Sequence, residues 1–252
     1  MQTVVVTGWH AKGFKEFAHR FVDSFDRFWS GNIPLACYVE VFVPIPRGEM
    51  HHRDQCPGLK DFLEENAGND LLNGREPNDS WKPRDRESGY NWRFDAVRFC
   101  KQLCYPAAIA STFPATSDIA LAWFDADVVT YKPVPEDMIE RFLGDHDLVY
   151  LGRPGKHSEI GFWAVRLNPR SRAFLRDLAS AYPSGRFREF KEWHSAYVFD
   201  RIREEHEAKG LKAHNLTPNG RGHVWFQHEL GLYTDHCKGN RKAAGISPER
   251  PR

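Results

Sequence analysis

The sequence lacks the features of membrane-spanning, secreted and repetitive proteins. No apolar run approaches the roughly 20 residues that a membrane-spanning helix needs, and the mean hydropathy is −0.60. Residues 1–8 contain neither a basic segment nor a long apolar one, which favours a strand over a signal peptide. The five cysteines are odd in number and widely spaced, which favours free thiols in a reducing compartment over a disulfide framework. We therefore expect a cytoplasmic protein without a membrane span.

An excess of charge of one sign is also missing, because 35 basic and 34 acidic side chains give a net charge of +1. The two parts of the chain nevertheless differ. Residues 1–152 contain 16 basic and 23 acidic side chains, whereas residues 153–252 contain 19 and 11. A positive second part suits an anionic ligand, such as a phosphate group or a nucleic acid. A solvated surface whose charges balance by chance would give the same counts.

Apolar residues are abundant, at 41% hydrophobic and 13% aromatic, which provides a sizeable core and excludes a disordered chain. Their spacing predicts a strand at 3–7, a helix at 14–29 and a strand at 35–43, the βαβ unit of a parallel sheet. Further predicted helices cover 59–65, 94–110, 136–143, 171–182 and 195–209, and further strands cover 119–124, 148–151 and 161–167. The pattern predicts one α/β domain with a mostly parallel central sheet flanked by helices.

Two features interrupt this pattern. Residues 46–89 are polar and rich in Gly and Pro, with little periodicity apart from the short helix at 59–65. A long irregular insert of this kind is usually functional or mobile. Within the predicted helix at 94–110, Pro106 would kink the helix or end it early, because proline has no backbone N–H.

Two aspartates follow a strand that is predicted to be buried on both faces. The apolar run 119–124 leads directly into Asp125 and Asp127. Ligands of open α/β sheets bind outside the carboxyl ends of strands, and residues i and i+2 on extended backbone point the same way. Such carboxylates suit Mg²⁺ or Mn²⁺, and a solvated strand end is the alternative. A second D-x-D, at Asp145 and Asp147, follows a predicted helix and is expected to be a surface turn.

The C-terminal segment offers a third metal ligand together with cations. Residues 236–242 have the pattern H-x-x-G-x-x-K, in which His236 could complete a Mn²⁺ site. The glycine lets backbone approach phosphate oxygens closely, and Lys238, Arg241 and Lys242 would neutralise a diphosphate. A basic tail with a chance histidine is the alternative, since the chain has 12 histidines.

Together these residues resemble the nucleotide-sugar-dependent glycosyltransferases of the GT-A fold. The βαβ start, the strand ending in Asp125 and Asp127, and the late H-x-x-G-x-x-K are similar to the glycogenin-like branch, although alanines at 243–244 replace its Pro-Trp pair. The resemblance implies a single GT-A-like domain with a Rossmann-like sheet. It also implies that Asp125, Asp127 and His236 hold Mn²⁺ or Mg²⁺, and that the donor is a nucleotide-diphosphate sugar such as a UDP-sugar.

The resemblance further assigns residues to the donor. Lys238 and Lys242 would bind its diphosphate, with residues 1–130 as the nucleotide-sugar-binding half and residues 131–252 as the acceptor half. The other expected donor contacts are Thr7, Gly8 and Trp9 after the first strand, and Arg93, Asp95, Arg98 and Lys101 before the D-x-D strand. A solvated charged helix face is the alternative for the last four.

Glycosyl transfer with inversion needs a base that accepts the proton of the acceptor. The candidates are Glu159, between two predicted strands, and Glu192 and His194, just before the predicted helix at 195–209. Alternatively, Glu192 is only a favourable charge at the N-terminus of that helix.

The acceptor is suggested by two features. Basic and aromatic residues alternate at 186–191, as on nucleic-acid surfaces, and residues 233–242 resemble the tails of small phage-encoded glycosyltransferases. That resemblance implies a hydroxymethylated pyrimidine of DNA, modified in the cytoplasm of a bacterial or phage-infected cell, with a saccharide as the rival acceptor. A metal-dependent phosphohydrolase or nucleotidyltransferase and a non-catalytic nucleic-acid-binding module are the alternatives from other classes.

Overall fold

The computed structural model describes residues 1–75 and 89–250, in which nine strands and seven α-helices form. The strands are β1 Gln2–Trp9, β2 Leu35–Val39, β3 Glu49–His52, β4 Ile119–Phe124, β5 Val128–Thr130, β6 Leu148–Leu151, β7 Glu159–Arg166, β8 Ala213–Asn215 and β9 Thr234–His236. The helices are α1 His19–Phe28, α2 Leu59–Asn66, α3 Ala96–Thr112, α4 Met138–Leu143, α5 Pro169–Ser180, α6 Ser195–Glu207 and α7 Arg241–Ala244.

Seven strands form one sheet in the order β3-β2-β1-β4-β7-β6-β8. Neighbouring strands are parallel from β3 to β4 and between β6 and β8, whereas β7 is antiparallel to both of its neighbours. The predicted α/β fold with a mostly parallel central sheet is therefore confirmed. The strands β2 and β3, which follow β1 along the chain, lie on one side of β1, whereas the next strand, β4, lies on its other side. A crevice is expected where strand order reverses in this way, at the carboxyl ends of β1 and β4.

Helices cover both faces of this sheet, which explains its continuous apolar strands. In β1, Val4 and Val6 belong to the core shared with α2, α3, α5 and α6, and Val5 belongs to the core shared with α1 and α4. A π-helical turn, Phe14–Ala18, precedes α1, so the predicted helix at 14–29 is present. No helix within the described ranges is both long and apolar enough to cross a bilayer.

The predicted strand at 35–43 is too long. β2 ends at Val39 because Glu40 turns to accept hydrogen bonds from Ala11 N and Lys101 Nζ. Val41 and Phe42, the next residues, are more than half exposed.

The predicted insert at 46–89 contains more structure than expected. Its β3 pairs in parallel with β2 at the sheet edge, and the predicted helix at 59–65 is present as α2. The sequence Glu-Met-His-His of β3 has no pattern of apolar residues from which a strand could be predicted. A short strand at the edge of a sheet can form without an apolar face. The part of the insert at 76–88 lies outside the described residues.

The helix α3 continues through Pro106, contrary to the predicted kink or early end. Proline removes one helical hydrogen bond, but Leu103, Cys104, Tyr105 and Pro106 are all buried, so packing holds the helix together. Strand β7 begins at Glu159, earlier than predicted, so the candidate base lies in the sheet and not between two strands.

The prediction of a surface turn at the second D-x-D is correct for Asp145 and wrong for Asp147. Asp145 is exposed, but the side chain of Asp147 is buried and accepts hydrogen bonds from Arg170 Nε, Asn168 Nδ2 and Lys212 N. Burial would raise the pKa of Asp147, but these donors lower it overall. Asp147 therefore ties β6, α5 and β8 together.

Candidate active site

Asp125, Asp127 and His236 meet at the carboxyl end of β4. The two aspartates follow that strand directly, and β5 then pairs antiparallel with β9, which places Val128 opposite His236. His236 Nε2 lies 3.0 Å from Asp127 Oδ1 and 3.4 Å from Asp125 Oδ2. The short β5–β9 pairing thus brings the predicted metal ligands together from distant parts of the chain.

The imidazole of His236 is held in one place. It is fully buried, and the ring of Trp225 lies against it with 4.9 Å between centroids. On another side, Gly161 passes so close that a Cβ there would lie 2.1 Å from His236 Cε1. Trp225 is itself fixed, because its indole N–H donates to Thr234 O at 3.0 Å.

These residues fit a divalent cation. Three carboxylates lie within 3.5 Å of the His236 ring, but their directions are poor for hydrogen bonds. Both ring nitrogens are therefore buried without a hydrogen-bond partner in the described part of the chain. An octahedral ion with bonds of about 2.1 Å separates neighbouring ligand atoms by about 3.0 Å, close to the two distances measured from His236 Nε2. Two carboxylates and one imidazole suit Mn²⁺ or Mg²⁺.

Two predicted lysines lie beside this cluster. Lys242 Nζ is 3.0 Å from Asp127 Oδ2, and Lys238 Nζ is 2.6 Å from Glu159 Oε1. Burial would raise the pKa of Asp127, but His236 and Lys242 hold it well below its usual range. Burial would likewise lower the pKa of His236, but Asp127 raises it well above the usual value. In this cluster each of the two carboxylates, Asp127 and Glu159, thus lies beside positively charged side chains.

Asp125 is oriented by residues that the sequence analysis missed. Its Oδ1 accepts from Trp123 Nε1 at 3.0 Å and from Gln102 Nε2 at 2.5 Å. Gln102 Oε1 in turn accepts from the hydroxyl of Ser195, so α3 and α6 both position this carboxylate. Gln102 directly follows the predicted donor residue Lys101, and it lies one helical turn after Arg98. Helical spacing was therefore the signal that could have found it.

A cavity of about 510 Å³ lies at the carboxyl ends of β1 and β4. The predicted donor residues that line it are Gly8, Trp9, Asp95, Arg98, Lys101, Asp125 and Lys242. Its wall also contains Trp9 Nε1 and Tyr105 Oη, two buried polar atoms without a hydrogen-bond partner among the described residues. A ligand that carries hydrogen-bonding groups would satisfy them.

A second cavity, of about 490 Å³, adjoins the first. Asp125, Asp127 and Lys242 line both cavities, and so do Arg98, Phe99 and Gln102. The second wall adds Arg153, His157, Lys238 and the predicted candidate His194.

Four other predicted site residues line neither cavity, namely Thr7, Arg93, Glu159 and Glu192. Thr7 is fully buried within β1. Arg93 donates to Glu192 Oε1 at 2.9 Å, so these two predicted residues pair with each other. Burial would raise the pKa of Glu159, but Lys238 lowers it well below its usual range. Asp95 caps α3 by accepting from Arg98 N and also accepts from the hydroxyl of Tyr90.

The aromatic residues near 186–191 lie mostly in the core, and Phe190 is partly buried against it. Phe187 is fully buried in the core, and Trp193 is buried against it with ring centroids 5.4 Å apart. Trp163 and Trp225 are also fully buried. The charge of this part of the chain remains as support for an anionic ligand, but the aromatic signal belongs to the core.

No protein-family model matches the chain, and no curated protein matches its sequence. Among solved structures, its fold is similar to that of mouse xyloside xylosyltransferase 1 in its apo form. The TM-score is 0.51 and the identity 9%, over 98% of this chain and 100% of that chain. A glycosyltransferase involved in glycosylation of the major capsid of PBCV-1 is also similar, with TM-score 0.46, 10% identity and the same coverage. The first likeness shows that the chain shares the fold of that xylosyltransferase.

Proposed function

We propose that the chain transfers a sugar from a nucleotide-diphosphate sugar to a hydroxyl acceptor, with the help of a divalent cation. The observation that carries this proposal is the cluster of Asp125, Asp127 and His236 at the carboxyl edge of the sheet, where both aspartates line two adjoining cavities. The similarity of the fold to a xylosyltransferase supports it. Asp125, Asp127 and His236 would hold Mn²⁺ or Mg²⁺.

The chemistry needs charge stabilisation on the leaving group. A bound cation would stabilise the nucleoside diphosphate that departs. Lys238 and Lys242 would bind the diphosphate oxygens, because both ammonium groups line the second cavity beside the aspartates. Glu159 is a third carboxylate near the cluster, as a phosphohydrolase would need, but it is neutralised by Lys238.

We assign the first cavity to the nucleoside, as part of a donor half at 1–130. Trp9 and Tyr105 supply unpaired polar atoms there, and Arg98 and Lys101 supply positive charge. The second cavity would hold the acceptor, in an acceptor half at 131–252. Of the three predicted bases, His194 is the one that lines this cavity. Its pKa is lowered, chiefly by burial, which favours the neutral imidazole that a base requires.

For the acceptor we propose a hydroxymethylated pyrimidine of DNA, in the cytoplasm of a bacterial or phage-infected cell. The support is the excess positive charge of residues 153–252 and the presence of Arg153 and Lys238 in the second cavity. A base in a duplex would have to be flipped out to reach this cavity.

The donor part of the proposal is tested by hydrolysis of UDP-sugars with Mn²⁺ present or removed by chelation. We expect wild-type turnover to require the cation and Asp127→Asn to lose at least about 100-fold, because one ligand carboxylate is neutralised. The matched control is Asp145→Asn, which alters the exposed aspartate of the other D-x-D. Equal turnover of Asp127→Asn and wild type would reject the site.

The acceptor is tested by mass spectrometry after incubation with nucleotide sugars. Hydroxymethylated DNA, unmodified DNA and a panel of oligosaccharides are compared, and we expect a gain of one sugar mass on hydroxymethylated DNA alone. Transfer to an oligosaccharide would keep the enzyme class and overturn the DNA acceptor. Release of phosphate without sugar transfer would instead indicate a phosphohydrolase.

A further inference from the structure

A second cluster of ligand-type side chains lies outside the D-x-D site. His157 comes from the loop before β7, and Glu192 and His194 come from the segment before α6. His194 Nε2 lies 3.0 Å from Glu192 Oε2, and His157 Nε2 lies 3.3 Å from the same oxygen. Two imidazole nitrogens thus converge on one carboxylate oxygen, and the three side chains are grouped closely enough to hold one ion.

The dimensions suit a tetrahedral metal ion. Zinc has bonds of about 2.0–2.1 Å to imidazole nitrogen and carboxylate oxygen, which places tetrahedral ligand atoms about 3.3 Å apart. The distances of 3.0 and 3.3 Å are close to that value. Two histidines and one glutamate also form a known ligand set for zinc sites with an open position. Its imidazole content favours Zn²⁺ over the Mg²⁺ or Mn²⁺ that suits carboxylates.

The surroundings hold the cluster in place. Arg93 donates to Glu192 Oε1, which leaves Oε2 facing the two histidines. The backbone carbonyl oxygen of Arg93 also accepts hydrogen bonds from Trp193 N and His194 N. The ring of Trp92 lies 4.6 Å from that of His194, which is only 3% exposed. Carboxylates that bind metals are commonly fixed in this way through their other oxygen.

We propose that His157, Glu192 and His194 form a second metal site, which takes a nitrogen-preferring divalent cation such as Zn²⁺. Both histidines line the second cavity, which also reaches Asp125. Three protein ligands leave a fourth position for water or a hydroxyl group from that cavity. With the ion bound, His194 would be a ligand and the ion would acidify the acceptor hydroxyl; without the ion, His194 would be the base. This last role rests on the proposed function, but the metal site does not.

The test measures Zn²⁺ binding without any donor or acceptor. The protein is stripped of metal, and Asp127→Asn serves as the background, so that the D-x-D site is weakened in every sample. Equilibrium dialysis with elemental analysis is expected to show one tightly bound Zn²⁺ per chain. His157→Ala and Glu192→Gln are expected to weaken its binding by at least about 100-fold, since each removes a ligand. Substitution by Co²⁺ should give the strong visible absorption of four-coordinate cobalt.

The variants are chosen to separate binding from folding. His157 is partly exposed in a loop, and Glu192→Gln keeps the size of the side chain, so circular dichroism should be unchanged. His146→Ala, at a histidine outside both clusters, is the matched control and should bind zinc as the background does. Unchanged zinc affinity in both His157→Ala and Glu192→Gln would overturn the proposal and leave an ion-paired network. Zinc binding by a protein with both aspartates intact that transfers no sugar would instead count against the proposed function.

Discussion

At the scale of single residues, Gly161 decides where His236 can lie. Replacement by alanine would place a methyl group 2.1 Å from Cε1 and 2.5 Å from Nδ1 of the imidazole. The ring would have to move, so we predict that Gly161→Ala weakens Mn²⁺ binding about 10–100-fold, as the loss of a ligand-orienting contact does. Isothermal titration calorimetry would measure this.

The matched control for that experiment is Gly68→Ala. Nothing lies within 4 Å of a Cβ at Gly68, and its backbone is not in the left-handed region. This variant should bind Mn²⁺ like wild type. Equal affinities of the two alanine variants would mean that Gly161 does not position the ligand.

Glu40 provides a pH-dependent contribution to stability. Burial alone would raise its pKa, but Lys101, Ala11 N and Arg53 lower it to about 2 from 4.5. A carboxylate with a lowered folded pKa stabilises the protein above its unfolded pKa and loses that effect as pH falls toward the folded pKa. We predict that Glu40→Gln costs about 1–2 kcal/mol at pH 7, after allowance for solvent screening, and less at pH 3.5. Urea denaturation at both pH values measures this, and a cost that does not shrink would contradict it.

The ligand-type residues near the D-x-D could be predicted from the sequence, whereas the hydrogen bonds between side chains of different elements could not. Asp125, Asp127 and His236 were predicted as ligands because strand ends and short spacing have geometric meaning. Their grouping agrees with that prediction, although only metal binding can test the role. Gln102 was missed because no local pattern shows that its amide reaches a carboxylate on another element. Arg93 and Glu192 were predicted separately, and their pairing depends on how α3 and α6 pack.

At the scale of elements, the segment around Ser247 is hydrogen-bonded to β9 through the buried carboxylate of Asp235. Asp235 accepts from Ser247 N at 2.7 Å and from Ser247 Oγ at 2.6 Å. Ser247→Ala removes one bond to a buried charge, so we predict a loss of about 1–3 kcal/mol in the free energy of unfolding. Ser111→Ala, at an exposed serine that bonds within α3, is the control and should change stability little. Equal urea midpoints for the two variants would contradict the prediction.

Long periodic elements and the short apolar strand β6 were predictable, whereas four other short strands were not. The spacing of Phe21, Val22 and Phe25 is sufficient to place α1. The strands β3, β5, β8 and β9 have three or four residues each, too few for a period to be read. Pro106 shows the opposite error, because a local breaker was outweighed by burial of the residues around it.

At the scale of the whole molecule, the candidate metal site links the middle of the chain, at Asp125 and Asp127, to His236 in its C-terminal part. A ligand that binds only the native state stabilises it by about 2.7 kcal/mol at 100 times its Kd. For a chain of this size we predict that Mn²⁺ raises the Tm of wild type and of Asp145→Asn by about 5–10 °C. Asp127→Asn should show no such rise. Scanning calorimetry measures the three proteins, and an equal rise in Asp127→Asn would place the bound cation elsewhere.

The β5–β9 pairing also has a consequence for synthesis. The ribosome delivers Asp127 long before His236, which follows it by 109 residues. A chain that has not yet reached His236 already contains every strand of the central sheet, since β8 ends at Asn215, but it lacks the β9 partner of β5. A protein whose synthesis stops before His236 would therefore lack one of the three residues of the candidate metal site.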